Sequence, residues 1–298
     1  MMRVLFATTE GLDRHEAPCY RILRFSHALA RLGHLVTLLH RGGGEPVAPE
    51  ACQALTLVSV PWVPVRGWGR LFPFLYAARL TRVLRRNQFD WLHLRVTPYG
   101  QIIRALEKTS VPISVEHIED HLPNAALRKI GHRFSLGFTN SEKNARLLRE
   151  QLGIRRDRIG PLPDGVDPGV MSRPVDRAGV RSKFGLDSEA FGVVHASSFR
   201  WHHDFDTILE AVRRLRFPIQ IAFCGGGPRT GEIRKKADAL RVNTRFLGPL
   251  PQALLSEVLA ASDACVDALV RTVPINGNLR PSKLWEYMAS GTPTVETV

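Results

Sequence analysis

The chain has 298 residues, 44% of them hydrophobic and 23% charged, with a net charge of +13. That apolar fraction excludes a disordered or collagen-like chain, and the length suits two domains, each able to bury its own core. Cys19, Cys52, Cys224 and Cys265 show neither a C-x-x-C pair nor metal-ligand spacing, which argues against a disulfide framework or zinc ribbon and fits a reducing compartment. The longest apolar block, Leu71 to Ala78, contains Pro73 and is far short of a membrane span, and the start lacks a secretory apolar region. The positive charge attracts anions, whether nucleic acid, phosphorylated ligands or acidic lipid. No helix-turn-helix, RRM or KH signature is present, so nucleic acid is not an expected partner.

In chain order, Val4 to Thr8 reads as a buried strand. Tyr20 to Leu32 has apolar residues at helical spacing and stops at Gly33. Strands follow at Leu35–Leu39 and Leu55–Val60, then a helix from Phe74 to Arg86. Trp91–Leu94 and Pro112–Val115 are strands around a helix, Tyr99 to Lys108. Phe134–Thr139 is a strand and Ser141 to Gln151 a helix with Ser141 as its N-cap. A Pro/Gly-rich stretch, Pro161 to Gly169, ends this run. The alternation restarts with strands at Phe191–Ala196, Ile219–Cys224, Thr244–Leu247, Ala264–Ala268 and, from Pro293, a last one. Helices at Phe205–Leu215, up to Leu240, Leu254–Ala261 and Ser282–Met288 separate them.

Near-continuous apolar strands separated by helices imply parallel sheets covered on both faces. The expected fold is α/β, with two doubly wound Rossmann-like domains. Residues 1–162 form the first, 163–185 a linker and domain entry, and 186–298 the second.

Several residues carry candidate chemistry. Gly225, Gly226 and Gly227 sit between a strand and a helix, where glycine lets a backbone approach a phosphate or sugar and the helix start favours an anion; the plain alternative is a flexible turn. Ser282 can cap a helix whose start Arg280 and Lys283 make cationic. Glu286 lies about one turn further in and can accept two hydroxyl hydrogen bonds, as from a ribose. His117 ends a strand at the carboxyl edge of the first sheet, with Glu116 and Asp120 as acceptor-side candidates beside it. Asp204-Phe-Asp206 opens a helix, which favours capping over metal binding. Trp62 to Arg86 interleaves five aromatics with six arginines, as suits an anionic membrane surface or, equally, a solvated helix with a buried aromatic face.

The run Pro281-Ser-Lys-Leu-Trp-Glu-Tyr-Met-Ala-Ser-Gly-Thr-Pro-Thr-Val295 resembles the donor-site signature of GT-B glycosyltransferases of family 4. Leu162-Pro-Asp-Gly-Val-Asp167, Ala222 to Pro228, Phe246-Leu-Gly248, Ala261-Ser-Asp263, Gly33 to Thr37 and Phe138-Thr-Asn-Ser141 match in the same order, so the resemblance spans nearly the whole chain.

The resemblance implies two domains facing a cleft, the second holding a nucleoside-diphosphate sugar and the first the acceptor, a glycan or lipid. It implies transfer with retention at the anomeric carbon, with no metal and no cofactor. Glu286 would hold the donor ribose, and Ser282, Lys283 and the Leu284 backbone the diphosphate. His117 would contact the transferred sugar. The first of the family's two paired Glu falls on Asn278, which bonds a hydroxyl without charge, and the family's basic pair falls on Ser197 and His203, with Arg200 between them. The chain stops at Val298, where the family continues, so the second domain is expected to be incomplete. A cytoplasmic enzyme, peripheral at the inner face of the cell membrane, follows from this reading. Its alternatives are a nucleotide-sugar epimerase or hydrolase and an inactive donor-binding homologue.

Overall fold

The computed structural model describes the chain except for residues 16, 66, 96–99, 118–124, 271–281 and 298. It divides into two compact units, Met1–Pro163 and Asp164–Val298. The segment read as linker carries two helices, Pro168–Met171 and Arg177–Phe184. Asp167 caps the first by accepting the Gly169 N–H at 2.9 Å, and Pro168 occupies the first helical turn. Met171 is thereby buried in the core of the second unit.

The first unit holds β1 (Arg3–Gly11), β2 (Leu35–Arg41), β3 (Leu55–Val60), β4 (Trp91–Arg95), β5 (Ile113–Glu116), β6 (Phe134–Thr139) and β7 (Ile159–Pro161). They form one sheet in the order β3-β2-β1-β4-β5-β6-β7, every neighbour parallel. β7 escaped the sequence reading because an edge strand of three residues carries no period. Leu5 and Ala7 of β1 point into one core and Phe6 into another, so both faces of the sheet are covered. Local chemistry and fold agree at the helix Glu142–Leu152: the Ser141 hydroxyl accepts the Asn144 N–H at 3.2 Å, and Gly153, at φ 68°, closes the far end.

The second unit repeats the plan with β8 (Phe191–Ser197), β9 (Ile219–Gly225), β10 (Thr244–Gly248), β11 (Ala264–Asp267) and β12 (Thr294–Glu296). The order is β10-β9-β8-β11-β12, again parallel throughout. Val193, Ile221 and Phe223 fill one core, and Val194, Ala222 and Cys224 the other. In each sheet the strand order reverses beside the first strand, between β1 and β4 and between β8 and β11. Ligands of open parallel sheets bind at the carboxyl ends of strands at such a reversal.

Gly225 ends β9 opposite Ser197 of β8, at φ 115°. A Cβ there would collide with the Ser197 carbonyl oxygen, and one at Gly227 with that of Ser198. The glycines therefore let two edge loops touch backbone to backbone. Gly225→Ala combines a forbidden dihedral with an overpacked contact and should cost at least about 2 kcal/mol, read as a lowered urea midpoint at unchanged slope.

Candidate functional site

The carboxyl edge of the second sheet is built around a buried lysine. Lys283 lies in the first turn of the helix Ser282–Ser290. Its ammonium donates to Asp267 Oδ1 at 2.7 Å and to His203 Nδ1 at 3.1 Å. All three side chains are buried. Burial pushes the lysine pKa down, and the Asp267 carboxylate opposes that. An ammonium can only donate, so His203 Nδ1 is an acceptor and the ring is neutral. Burial, with the Lys283 charge second, drives the His203 pKa down to about 2.

His195, on β8, completes the cluster. Its Nδ1 donates to the Val266 carbonyl at 2.9 Å, and its Nε2 accepts from the Ser197 hydroxyl at 2.9 Å. Burial and then the Lys283 charge hold this imidazole at about 3. His195, His203 and Asp267 bring ligand atoms within 4.8 Å of one another, as a metal site does. Two of the three, His203 and Asp267, already hold the Lys283 ammonium.

Glu286 lies on the same helix, half-buried, and accepts from Gln252 Nε2 at 2.9 Å. Gln252, itself buried, opens the helix Gln252–Ala261. Sequence reading missed it, since nothing links two positions 34 residues apart until the chain folds. Ser282 is the first residue of its helix, and Leu284 is half-buried. Ser197 is half-buried and tied to His195, while Arg200 is exposed in the loop after β8. Asp204 caps the helix Phe205–Arg214 through the Thr207 N–H at 3.0 Å, and Asp206 pairs with Lys236 at 2.7 Å. Asp204 thus has the capping role expected of it, while Asp206 is held in an ion pair. Asp120, Asn278 and Arg280 lie outside the described residues.

At the corresponding edge of the first sheet, Glu116 ends β5 with its side chain only 1% exposed. Oε1 accepts from Arg21 Nε at 2.7 Å and Arg95 Nη1 at 3.1 Å, and Oε2 faces His93 Nε2 at 3.3 Å. Burial alone would raise this carboxyl, but the His93 hydrogen bond and the two guanidinium charges win and hold it at about 2. The carboxylate thus faces the interior. Arg21 also donates to the Leu162 carbonyl at 2.8 Å, near the end of the unit. His117 follows, buried, with its backbone N–H on the Phe138 carbonyl.

Comparison with known proteins gives the family. Residues 20–170 match the model of Glycosyltransferase Family 4, and residues 190–298 match that of Glycosyl transferases group 1. The chain belongs to glycosyltransferase family 4. Two curated proteins are similar to this family 4 chain, both named D-inositol 3-phosphate glycosyltransferase. The one from Nocardia farcinica is 26% identical over 92% of this chain and 68% of its own length. The one from Thermomonospora curvata is 29% identical over 59% of this chain and 45% of its own, so the match spans about half of that relative. Among solved structures, Anabaena HepE in complex with UDP and glucose superimposes with a TM-score of 0.76 at 16% identity, over 99% of this chain and 80% of that one. The two sheets are those of the GT-B fold, with a second domain smaller than in the solved chains.

The family 4 chain also has a sided helix, Trp68–Arg86. Phe72, Tyr76, Leu80 and Val83 face the core, at spacings of three and four. Trp62 packs edge-on against Phe72 at 5.1 Å. Most of the aromatics singled out as a possible surface feature are therefore core residues. Phe74 is the exception at 56% exposure, with Val65 and Leu71 also exposed. Leu71, Phe74, Ala78, Arg82 and Arg85 share one outward stripe. Among the described residues no helix is long and apolar enough to cross a membrane.

The two charged clusters predict different acid responses. His195 and His203, held far below the ordinary imidazole value of 6.5, exclude protons that the unfolded chain binds, so stability falls as pH drops below 6.5. Glu116, held below the ordinary 4.5, adds stability that is complete above 4.5 and is lost as pH falls towards 2. Glu116→Gln should cost roughly 3 kcal/mol at pH 7 and flatten only the lower window in urea titrations run across pH.

Proposed function

We propose that this family 4 chain belongs to a retaining glycosyltransferase that moves a sugar from a nucleoside-diphosphate sugar to a glycan or lipid acceptor. The observation that carries the reading is the convergence, at the strand-order reversal of the second sheet, of a helix start, a buried ammonium and a half-buried carboxylate one turn apart. The relatives' activity and the UDP and glucose held by HepE support it.

In this reading the anomeric C–O bond to the diphosphate breaks as an acceptor oxygen bonds to the same face of that carbon. The acceptor proton passes to the departing diphosphate oxygen. The backbone N–H groups of Ser282, Lys283 and Leu284, in the first turn of the helix, meet the negative charge that develops there, which is the largest electrostatic contribution available. The Lys283 charge, held by Asp267, reinforces that helix start. Arg280, Arg200 and the Gly225–Gly227 turn add to the phosphate side. Glu286, steadied by Gln252, takes the ribose hydroxyls. By the family motif, His117 and Asn278 are each candidates for the transferred sugar, and Asp120 is a candidate for the acceptor. No metal is required in this scheme, because the lysine already supplies a cation to His203 and Asp267.

Thermal shift against UDP-glucose and GDP-mannose tests the donor. A ligand at a hundred times its dissociation constant should add about 2.7 kcal/mol of stability. Glu286→Ala should weaken the donor at least about tenfold, or 1.4 kcal/mol, and EDTA should leave binding and transfer unchanged. Full affinity in a folded Glu286→Ala protein refutes the ribose role. Conversion of donor alone to an epimer or free sugar, at a rate no acceptor raises, assigns the chemistry to an epimerase or hydrolase instead.

The outward stripe of Trp68–Arg86 supports a peripheral membrane role on the cytoplasmic face, with Leu71 and Phe74 entering the interface and arginines meeting anionic headgroups. Each arginine near an acidic bilayer gains about 1 kcal/mol, screened within a Debye length. Changing Arg79, Arg82, Arg85 and Arg86 to Gln should abolish most co-sedimentation with acidic liposomes. Equal, negligible binding of the unchanged protein to acidic and neutral liposomes rules the surface out.

A further inference from the structure

The loop after β8 presents a tryptophan that the donor groups described above leave unused. Trp201 is 67% exposed, whereas the other four tryptophans are half-buried. It is not on a loose loop. Two residues before it, Phe199 is fully buried, edge-on to Phe205 at 5.2 Å, and adopts φ 44°, a conformation that a non-glycine residue holds only when its surroundings impose it. Two residues after it, His203 is anchored on Lys283. Arg229 ties both anchors, its backbone N–H donating to the Phe199 carbonyl and its Nη1 to the His203 carbonyl at 3.0 Å. The Val270 N–H fixes the His202 carbonyl at 3.0 Å.

The indole also stands at one end of a continuous set of contacts. Gln252 meets Glu286, and Glu286 shares a helix turn with Lys283. Lys283 meets His203, whose ring lies 4.2 Å from that of His202. His202 meets Trp201 edge-on, with ring centres 5.6 Å apart. If the nucleoside binds at Glu286, the far end of this series receives the sugar end of the ligand. A pyranose ring carries its hydroxyls around the rim and presents polarised C–H groups on its face. A flat indole with a negative face complements that surface, and the exposed Arg200 next to it can reach rim hydroxyls.

We infer that Trp201 is a stacking platform for a pyranose ring bound at the sugar end of the donor site. The inference rests on the nucleotide-sugar reading of this edge. The ring belongs either to the donor or to the acceptor, and the two sources separate by experiment.

The full chain, Trp201→Ala and Trp201→Phe are titrated calorimetrically with UDP, UDP-glucose, GDP and GDP-mannose. Saturation-transfer NMR with methyl glycosides of glucose, mannose, galactose and N-acetylglucosamine is run in the presence of the nucleoside diphosphate that binds. A donor ring is read as a loss of at least about fivefold for the sugar nucleotide in Trp201→Ala, with the nucleoside diphosphate unchanged and Trp201→Phe largely restored; that is about 1 kcal/mol. An acceptor ring is read as intact affinity for both nucleotides with loss of saturation transfer to the glycoside. Equal losses for diphosphate and sugar nucleotide point to a base or a structural role and overturn the inference, as does a Trp201→Ala protein unchanged in both arms. An unchanged protein that binds none of the four nucleotides removes the donor reading itself, a result separate from any effect of the substitution.

Discussion

The second unit is organised around a charge that water would otherwise hold. Removing the Lys283 ammonium from solvent carries a desolvation cost of several kcal/mol, and only close partners offset it. Asp267 at 2.7 Å supplies the opposite charge and His203 at 3.1 Å a second acceptor. These partners come from β11 and from the loop after β8, while Lys283 comes from the helix that leads into β12. One buried ammonium, with its ion pair to Asp267 and its hydrogen bond to His203, therefore ties together three separate pieces of backbone at the edge where a parallel sheet binds ligands. The same pair dictates the protonation of its neighbours. Two imidazoles beside a buried ammonium cannot also be charged, so His195 and His203 serve as neutral hydrogen-bonding groups.

The first unit solves a similar problem with the signs exchanged. Glu116 is the buried charge, and Arg21, Arg95 and His93 surround it. His93 is held in turn by the Ser114 hydroxyl, which also accepts from Trp91 Nε1 at 2.8 Å. The network joins β4, β5 and the helix Ala17–Arg31, and through Arg21 reaches the carbonyl of Leu162. Each sheet thus carries a buried, fully surrounded charge at the end of its strands. Such clusters contribute little net stability compared with apolar packing, but removing one member strands the others. Their value is in fixing the edge backbone, from which loop residues such as Arg200 and Trp201 project.

Much of this was legible in the chain. The apolar runs at Val4–Thr8 and Ile219–Cys224 lie in strands because a strand buried on both faces leaves a local, nearly continuous signature. Caps such as Ser141 and Asp204 act within three residues and are equally local. The run from Pro281 to Val295 identified the family because its groups share one helix start. The helices inside 163–185 and the strand β7 were lost because short elements carry no readable period.

The sequence by itself determined the alternation of elements, the two-domain α/β class, the family, and the placing of Lys283 and Glu286 on one helix. Tertiary structure alone decided what those side chains do. It turned Lys283 inward onto Asp267 and His203, drew Gln252 to Glu286 across 34 residues, and closed two arginines around Glu116. It also sent Phe72 and Tyr76 into the core while leaving Phe74 outside. The physical reason is range. Periodicity and capping act over a few residues, whereas the environment of a charge or a ring is set by whichever distant segments the sheet order brings beside it.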